Sequence, residues 1–291
     1  MIVINALFMY NKLLKGFICL FAFFGALSIS LLYHGNNNTE LINTMLGVSS
    51  FIFGIFFTYY LGISSSKFTK ITEALRKDDK SILAIYYHSH ELKKEDHEKI
   101  TKLIDDYLIN QIDYYLKDYP KTSGKFFTLF DYCQSITPSG YKEEIAYEAI
   151  QDLLDESLEN RKVVESQLSY KISFFEWFSL SLFAGVIIVC MFILSNGSNE
   201  TSIMIATISM GITAVLYLLY EIDNLQWKES KLIWIPLTQF FRDMGLLPYF
   251  PKSVFHRVRD NIKFKNEKVR LATYPKKYPD FTDKNVEEYG V

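Results

Sequence analysis

Apolar residues along the chain collect in four long runs, and polar segments of unequal length separate them. A membrane-spanning helix needs about 20 mostly apolar residues, because the hydrocarbon core is about 30 Å thick and each helical residue advances about 1.5 Å. Four segments approach that length: Gly16 to Tyr33, Met45 to Ile63, Phe174 to Leu194 and Ile203 to Tyr220. The pattern therefore predicts four membrane-spanning helices, named spans one to four in chain order.

Basic residues predict the orientation of these spans. Neither short connection, 35–44 or 195–202, contains Lys or Arg, whereas the opposite ends of spans one to three carry several. The flanking basic residues are Lys12, Lys15, Lys67, Lys70, Arg76, Lys77, Arg161, Lys162 and Lys171. Positive residues stay preferentially on the cytoplasmic side. We therefore expect an integral protein of a plasma membrane, with both termini and the long middle segment in the cytoplasm.

Between spans two and three the pattern changes to that of amphipathic helices. Apolar residues recur at steps of three and four from Ile100 to Tyr115, which is the spacing of one helical face. No alternating pattern is long enough for a convincing strand. The chain is therefore predicted to be an all-α, polytopic membrane protein. Its expected parts are 1–66 with spans one and two, 67–172 as a helical cytoplasmic insert, 173–222 with spans three and four, and 223–291 as a cytoplasmic tail.

The tail begins with an apolar and aromatic stretch, Lys231 to Pro251, that three prolines and Gly245 interrupt. Proline breaks helices, so this stretch is not expected to span a membrane. Two arrangements remain open for it: a short helix lying in the membrane interface, or one packed on the cytoplasmic helices. The residues from Arg257 onward are basic and then polar, and could attract anionic lipid, stay solvated or contact a neighbouring subunit.

Composition narrows the functional classes. The 291 residues are 49% hydrophobic, and their formal net charge of −2 gives no bulk attraction for a nucleic acid. Cys19, Cys133 and Cys190 have no metal-binding spacing, and we expect them to be packed thiols. The chain contains no phosphate-binding loop, dinucleotide fingerprint, zinc-protease motif or nucleophile elbow. We therefore expect neither an enzyme nor a bound cofactor.

Two groups of polar residues could be considered for cations. His88 and His90 are two residues apart, so on a helix they point to different sides, and His97 does not complete a metal-binding spacing. Glu221 and Asp223 lie just past span four, where carboxylates could form a cation site. The alternative is that these carboxylates simply reach headgroup water. No metal is expected.

Span two carries a row of bulky side chains. Phe51, Ile55 and Tyr59 share one helical face, because a four-residue step turns a helix by about 400°. Small polar and basic residues follow at the cytoplasmic end: Ser64, Ser65, Ser66, Lys67 and Lys70. Several copies of such a row around an axis could form a constriction with an anion-attracting mouth. Alternatively, the row packs inside its own bundle and the lysines anchor the span.

Two stretches resemble the bestrophin superfamily, and especially its bacterial bestrophin-like branch. In LGVSSFIFGIFFTYYLGISSSKF, residues 46–68, an apolar row at four-residue steps precedes small polar residues and the basic-aromatic pair Lys67 and Phe68. In ENRKVVESQLSYKISFFEWFSLSLFAG, residues 159–185, a helix bearing Arg161 runs into Trp177 near the membrane entry. The layout of two spans, a helical insert, two spans and a tail also looks like that family.

The resemblance implies a homopentamer in the lipid bilayer, in which five copies of span two line a pore for small anions of the chloride type. Phe51, Ile55 and Tyr59 would form its hydrophobic neck. Tyr59 departs from the family pattern by adding a hydroxyl, and the acidic calcium clasp of animal bestrophins has no counterpart beyond Glu221 and Asp223. Calcium activation is therefore not expected.

A second function class stays open. The helical face from Ile100 to Tyr115 could bind a partner if it is not covered within the chain itself. The protein would then be a non-conducting signalling or scaffold protein of the membrane.

Overall fold

A computed structural model describes residues 18, 20–29, 39–224, 235–258 and 267–290, and over these the chain is mostly helical. The predicted residues Lys12, Lys15 and Cys19 lie outside them. The helices are α1 (Leu20–Ile29), α2 (Thr39–Ser89), α3 (Lys94–Asp113), α4 (Ser123–Gln134), α5 (Tyr141–Ser169), α6 (Phe174–Ile193), α7 (Asn199–Asp223), α8 (Ile235–Asp243) and α9 (Lys252–Val258). A 3-10 helix, Leu116–Thr122, connects α3 to α4.

The chain divides into two compact units. The first unit comprises Met1–Lys67 and Lys171–Trp227, and the second comprises Phe68–Tyr170 and Lys228–Val291. The tail beyond Trp227 and the segment between spans two and three therefore belong to the same unit.

Helices of membrane-spanning length characterise the first unit. Within the described residues, α2, α6 and α7 are each long and apolar enough to cross a membrane, and they contain the predicted spans two, three and four. Of predicted span one, the structure describes the apolar helix α1. The remainder of that span lies outside the described residues, so the fourth crossing stays a prediction.

The start of α6 explains a charge that interrupts an otherwise apolar span. The hydroxyl of Ser173 accepts a hydrogen bond from the Glu176 backbone N–H at 3.3 Å, and the Glu176 carboxylate accepts one from the Ser173 N–H at 2.6 Å. This reciprocal capping satisfies two backbone donors that the helix itself leaves free. Glu176 therefore lies in the first turn of the span, where its carboxylate caps the helix.

The core of the first unit is apolar and aromatic. Tyr60 of α2 packs with Ile172, Leu180 and Leu219, so α2, α6 and α7 share one cluster. Further aromatic residues of α2 lie against it: Phe53, Phe56 and Phe57. Phe56 also makes an edge contact with Phe183 of α6, with ring centroids 5.8 Å apart. Most of the aromatic residues of span two thus face the bundle.

The second unit buries the amphipathic face that the sequence predicts on α3. The buried residues of α3 are Ile100, Ile104, Tyr107, Leu108, Gln111 and Ile112. Three of them have no exposed surface and are apolar, as expected of a helix face that packs on α4: Ile100, Ile104 and Leu108.

A small sheet in the second unit differs from the expectation of an all-α chain. Strand β1 (Tyr249–Pro251) pairs in parallel with β2 (Lys268–Thr273), and β2 pairs antiparallel with β3 (Asn285–Gly290). Strands this short provide little alternation for a sequence pattern to reveal, and β3 is exposed along its whole length. The sheet is instead held by pairing between segments that are distant in sequence.

Part of the apolar tail stretch forms α8 (Ile235–Asp243). Residues Leu237, Phe240 and Phe241 are buried within the second unit. The helix ends at Asp243 and is followed by Gly245, whose φ of 68° lies in the left-handed region. The Leu246 N–H donates to the Phe241 carbonyl at 2.8 Å, and the Gly245 N–H donates to the Arg242 carbonyl at 2.9 Å. These paired bonds form a Schellman motif that satisfies the last carbonyls of the helix.

Candidate functional site

The predicted row on α2 is exposed. Phe51, Ile55 and Tyr59 keep 69%, 50% and 60% of their surface accessible, although all three are bulky and lie in an apolar segment. In the most apolar 18-residue segment of α2, 6% of the residues are buried, against 22% in the corresponding segment of α6 and 28% in that of α7. Within the described residues, the row therefore does not pack inside its own bundle. It has a surface left for lipid or for other copies of the chain.

The two faces of α2 differ sharply in their surroundings. Tyr60 is buried in the cluster with Ile172 and Leu219, whereas its sequence neighbour Tyr59 points elsewhere and touches it only edge to edge, with centroids 5.3 Å apart. Among the residues that the structure describes, the packing of one face of α2 on α6 and α7 fixes which of its side chains turn outward. The outward row is thus a defined feature of the fold and is presented by a rigid helix.

The residues predicted for the cytoplasmic mouth separate into two groups. Ser65, Ser66 and Lys70 are exposed. Ser64 and Lys67 are buried, at 1% and 3% exposure. Lys67 therefore does not present its ammonium group to solvent, as a mouth residue would need to do.

Lys67 is held at the end of α7. Its ammonium group donates a hydrogen bond of 2.9 Å to the backbone carbonyl of Asp223, and lies 3.8 Å from the Asp223 carboxylate. Asp223 is the last residue of α7, where backbone carbonyls have no partner within the helix and the helix dipole is negative. A cation is therefore stabilised there both by the dipole and by the side chain.

The Asp223 carboxylate has a second partner. It accepts a hydrogen bond of 3.3 Å from the backbone N–H of Ile172, immediately before the capping residue of α6. The side chains of Lys67 and Asp223 are 2% and 4% exposed. We name the three groups, Lys67, Asp223 and the Ile172 N–H, the Lys67 junction. The junction joins α2, α6 and α7 through polar contacts in a buried place.

The contacts of the Lys67 junction involve one of the two residues of the candidate cation site, Glu221 and Asp223. The Asp223 carboxylate already faces the ammonium group of Lys67 and the Ile172 N–H. Glu221 is partly buried. No group of three or more metal-ligating side chains occurs in the part of the chain that the structure describes.

His90, in the turn after α2, and His97, in the first turns of α3, have their rings in contact with a tilt of 31°. The rings of His90 and His97 lie 4.0 Å apart, and the Ser89 hydroxyl is 2.7 Å from Nδ1 of His97. Burial and the neighbouring His90 lower the pKa of His97. His88 is exposed. The ring contact and the Ser89 hydrogen bond account for His97 without a metal ion.

The cysteines within the described residues, Cys133 and Cys190, are buried free thiols. Burial, with the nearby Asp96 carboxylate, raises the pKa of Cys133 to about 12. A thiol in such a place is a poor nucleophile, because the thiolate is the reactive form.

Sequence reasoning missed a buried polar network in the second unit, centred on Asp78 of α2. Its carboxylate accepts hydrogen bonds from Tyr107 at 2.8 Å, Tyr119 at 3.2 Å, Gln111 at 3.3 Å and the Ser157 hydroxyl. Asp78 has no exposed surface. Four donors satisfy the carboxylate, which is what a buried charge requires.

Arg161 balances this carboxylate from α5. Its guanidinium donates to the hydroxyls of Tyr107 at 2.5 Å and Tyr119 at 3.2 Å, so the two tyrosines bridge it to Asp78. Burial and the Asp78 carboxylate raise the pKa of both tyrosines well above the usual value, so their hydroxyls remain protonated. The guanidinium also lies 4.9 Å from the centre of the Phe126 ring. The sequence indicates Arg161 only as a flanking basic residue and as part of the stretch that resembles bestrophins, and not as a member of a buried network.

Comparison with known proteins gives one finding. A family model described as Bestrophin-like domain matches residues 16–225. No curated protein and no solved structure matches the chain. The matched range includes the row on α2, the Lys67 junction and the Asp78 network.

Proposed function

Because the chain belongs to the bestrophin-like family, we propose that it is an oligomeric channel for small anions whose pore is lined by α2. Bestrophins are known as anion channels and not as enzymes. A single α2 cannot enclose a pore, so the function requires several copies of the chain. We propose a homopentamer of four-span subunits, with both termini in the cytoplasm of a bacterium and chloride as the type of ion carried.

The exposed row on α2 carries this proposal. One face of α2 carries the exposed side chains of Phe51, Ile55 and Tyr59, while Tyr60 on another face is part of the core. Copies of such a row around a common axis would form a narrow apolar neck, and such a neck gates by excluding water. Tyr59 adds a hydroxyl at the cytoplasmic end of the neck. We assign the neck to these three residues.

The charge next to the neck favours anions. Ser65, Ser66 and Lys70 are exposed at the cytoplasmic end of the apolar segment of α2, and provide hydroxyl donors and one positive charge for each copy. A ring of five such charges would raise the local concentration of anions at the mouth. Lys67 and Ser64 are not included in this mouth, because their side chains are buried.

The scaffold alternative loses its main support. It requires the face from Ile100 to Tyr115 to be free for a partner. Most of that face is buried within the second unit, including Ile104, Leu108 and Ile112. What remains accessible includes Tyr115, which contacts the Tyr278 ring at 4.5 Å. We therefore retain only the channel as the proposed function.

Halide flux into liposomes tests the proposal. We expect the wild-type protein to carry chloride, and Phe51→Ala, Ile55→Ala and Tyr59→Ala to change the flux severalfold, with an increase where a wider neck is more easily wetted. Val189→Ala provides a matched control, because Val189 is also exposed and apolar but lies on α6. This control should leave the flux unchanged.

Two results would overturn the proposal. One is absence of flux from folded wild-type protein across a chloride gradient. The other is flux that none of the three neck substitutions alters more than Val189→Ala does. Counting subunits in images of the purified protein tests the ring independently, because a monomer or dimer cannot place α2 around an axis.

A further inference from the structure

We propose that Lys67 is a positioning residue whose buried ammonium group takes the place of a cation at the end of α7 and sets the rotation of α2. The inference rests on the proposed function only in its consequence for conduction. Its structural part concerns the Lys67 junction within the first unit and can be tested without a channel assay.

The position of Lys67 on the helix gives the first step. Lys67 follows Ile55, the middle of the row, by twelve residues, and at about 100° per residue it is turned about 120° away from it. By the same measure Phe51 is turned about 160° and Tyr59 about 80° from Lys67. When the Lys67 side chain points into the bundle, Phe51 and Ile55 therefore point away from it and Tyr59 points to the side. The observed exposures agree: Lys67 is buried, and the row is exposed.

The nature of the contacts gives the second step. The aromatic contacts of α2 with α6 and α7 are apolar and have weak directional preference. The Lys67 ammonium group instead meets the Asp223 carbonyl at 2.9 Å and its carboxylate at 3.8 Å, and hydrogen bonds require defined geometry. The junction therefore selects one rotation of α2 from those that apolar packing would tolerate.

The burial of the pair gives the third step. With side chains 2% and 4% exposed, neither charge reaches water in this arrangement. Removal of one partner would leave the other charge buried without compensation, which strongly disfavours the packed arrangement. Replacement of both partners by uncharged groups avoids that penalty. Loss of either partner should thus loosen α2, and loss of both should be better tolerated.

The consequence for conduction follows from the same geometry. A helix that rotates or shifts by a fraction of a turn moves Tyr59 relative to the pore axis and alters the neck. The junction would then set the resting width of the neck, although it lies outside the path of the ions. In this view Asp223 binds a side chain of the protein and leaves no need for a metal ion.

Thiol accessibility tests the positioning. In a background with Cys19, Cys133 and Cys190 replaced, a single cysteine is introduced at Tyr59, in the outward row, or at Phe56, which packs against α6. A water-soluble maleimide is applied to the detergent-solubilised full chain. We expect Tyr59→Cys to react faster than Phe56→Cys when Lys67 is present.

Variants of the junction are then compared in both reporters. Lys67→Met keeps the apolar stem but loses the charge, and should reduce the ratio of the two rates by about tenfold or more, because an unpaired buried charge biases the arrangement of the helix strongly. Lys67→Arg should restore most of the ratio. Asp223→Asn should act like Lys67→Met, and the double variant should retain more of the ratio than either single variant. Lys80→Met, an exposed lysine on the same helix, should have no effect.

The outcomes separate the two proposals. Rates that neither Lys67→Met nor Asp223→Asn changes, in protein that remains folded, would overturn the positioning role. If the single variants fail to fold, the double variant decides: a wild-type ratio of rates after both charges are removed would also overturn it. A ratio that depends on Lys67 in a protein without chloride flux would support the junction and refute the channel.

Discussion

Arg270 of β2 and Asp105 of α3 form a bidentate ion pair, in which each of the two terminal guanidinium nitrogens lies 2.7 Å from a different carboxylate oxygen. Arg270 also donates to the Leu247 carbonyl at 2.9 Å and lies 5.2 Å from the centre of the Phe241 ring. The side chains of Arg270 and Asp105 are about one-fifth exposed. This one residue thus ties the tail sheet to α3 within the second unit.

We predict that Arg270→Ala lowers the free energy of unfolding by about 2–4 kcal/mol, because a well-formed, partly buried charge pair loses one partner and its bidentate geometry. Urea unfolding of the full chain in detergent measures the change. Lys268→Ala is the control, since Lys268 lies on the same strand but pairs with Glu288 in solvent. The control should cost about 0.5 kcal/mol or less. Equal effects of the two substitutions would contradict the prediction.

The Asp78 network supports a second prediction. Arg161→Met should lower the free energy of unfolding by about 3–5 kcal/mol, because it leaves the Asp78 carboxylate without a compensating charge in the interior. Lys162→Met removes an exposed positive charge next in sequence and should change it by about 0.5 kcal/mol or less.

A double-mutant cycle tests whether these two charges act together. The combined variant Arg161→Met with Asp78→Asn should lose less than the sum of the two single changes, since groups in one hydrogen-bond network are coupled. Additive losses, measured by the same unfolding experiment, would show that Arg161 does not stabilise Asp78 through the bridging tyrosines.

Some elements of this fold can be recognised from local patterns in the sequence. Span two is recognisable because it is a long local run of apolar residues, and the stripe from Ile100 to Ile112 because its period is that of a helix. Both signals come from neighbouring positions. These local signals do not predict that α2 continues without a break from Ile63 to Ser89, and they leave open whether the α3 face is covered within the chain.

The contacts that give the site its geometry leave no such trace. Lys67 and Asp223 are 156 residues apart, and at the sequence level a lysine at the end of a span is indistinguishable from one that anchors the span in headgroups. Ser157 and Asp78 are 79 residues apart, and their pairing depends on the register of α5 against α2. Such contacts are fixed by tertiary packing and not by local preference.

Cys133 allows a third prediction, on pH. Its folded pKa of about 12 lies above the ordinary value of 9.0, so the stability that its burial contributes is present below about pH 9 and is lost as the pH rises toward 12. At pH 8.5 the thiol should remain protonated. Iodoacetamide should therefore alkylate it about a thousandfold more slowly than an ordinary cysteine.

A variant that keeps only Cys133 provides the measurement. Its control replaces Cys133 with Ala and places the single cysteine at Gln134, the exposed next residue of α4. Rapid alkylation of Cys133 in folded protein, at a rate near that of the control, would show that α4 opens readily or that the thiol is not buried.

Replacement by Ala is predicted to change the free energy of unfolding in opposite directions at Gly245 and Gly124. An added Cβ would meet no atom within 4 Å at either position, so crowding does not distinguish them. Gly245 follows α8 with a φ of 68°, and Ala there should lower the free energy of unfolding by about 1–2 kcal/mol, because L-residues disfavour left-handed backbone. Gly124 lies within α4, where Ala should raise it by about 0.4–1 kcal/mol by restricting the unfolded chain. Urea unfolding of both variants measures the two changes, and a loss at Gly124 as large as that at Gly245 would refute the backbone explanation.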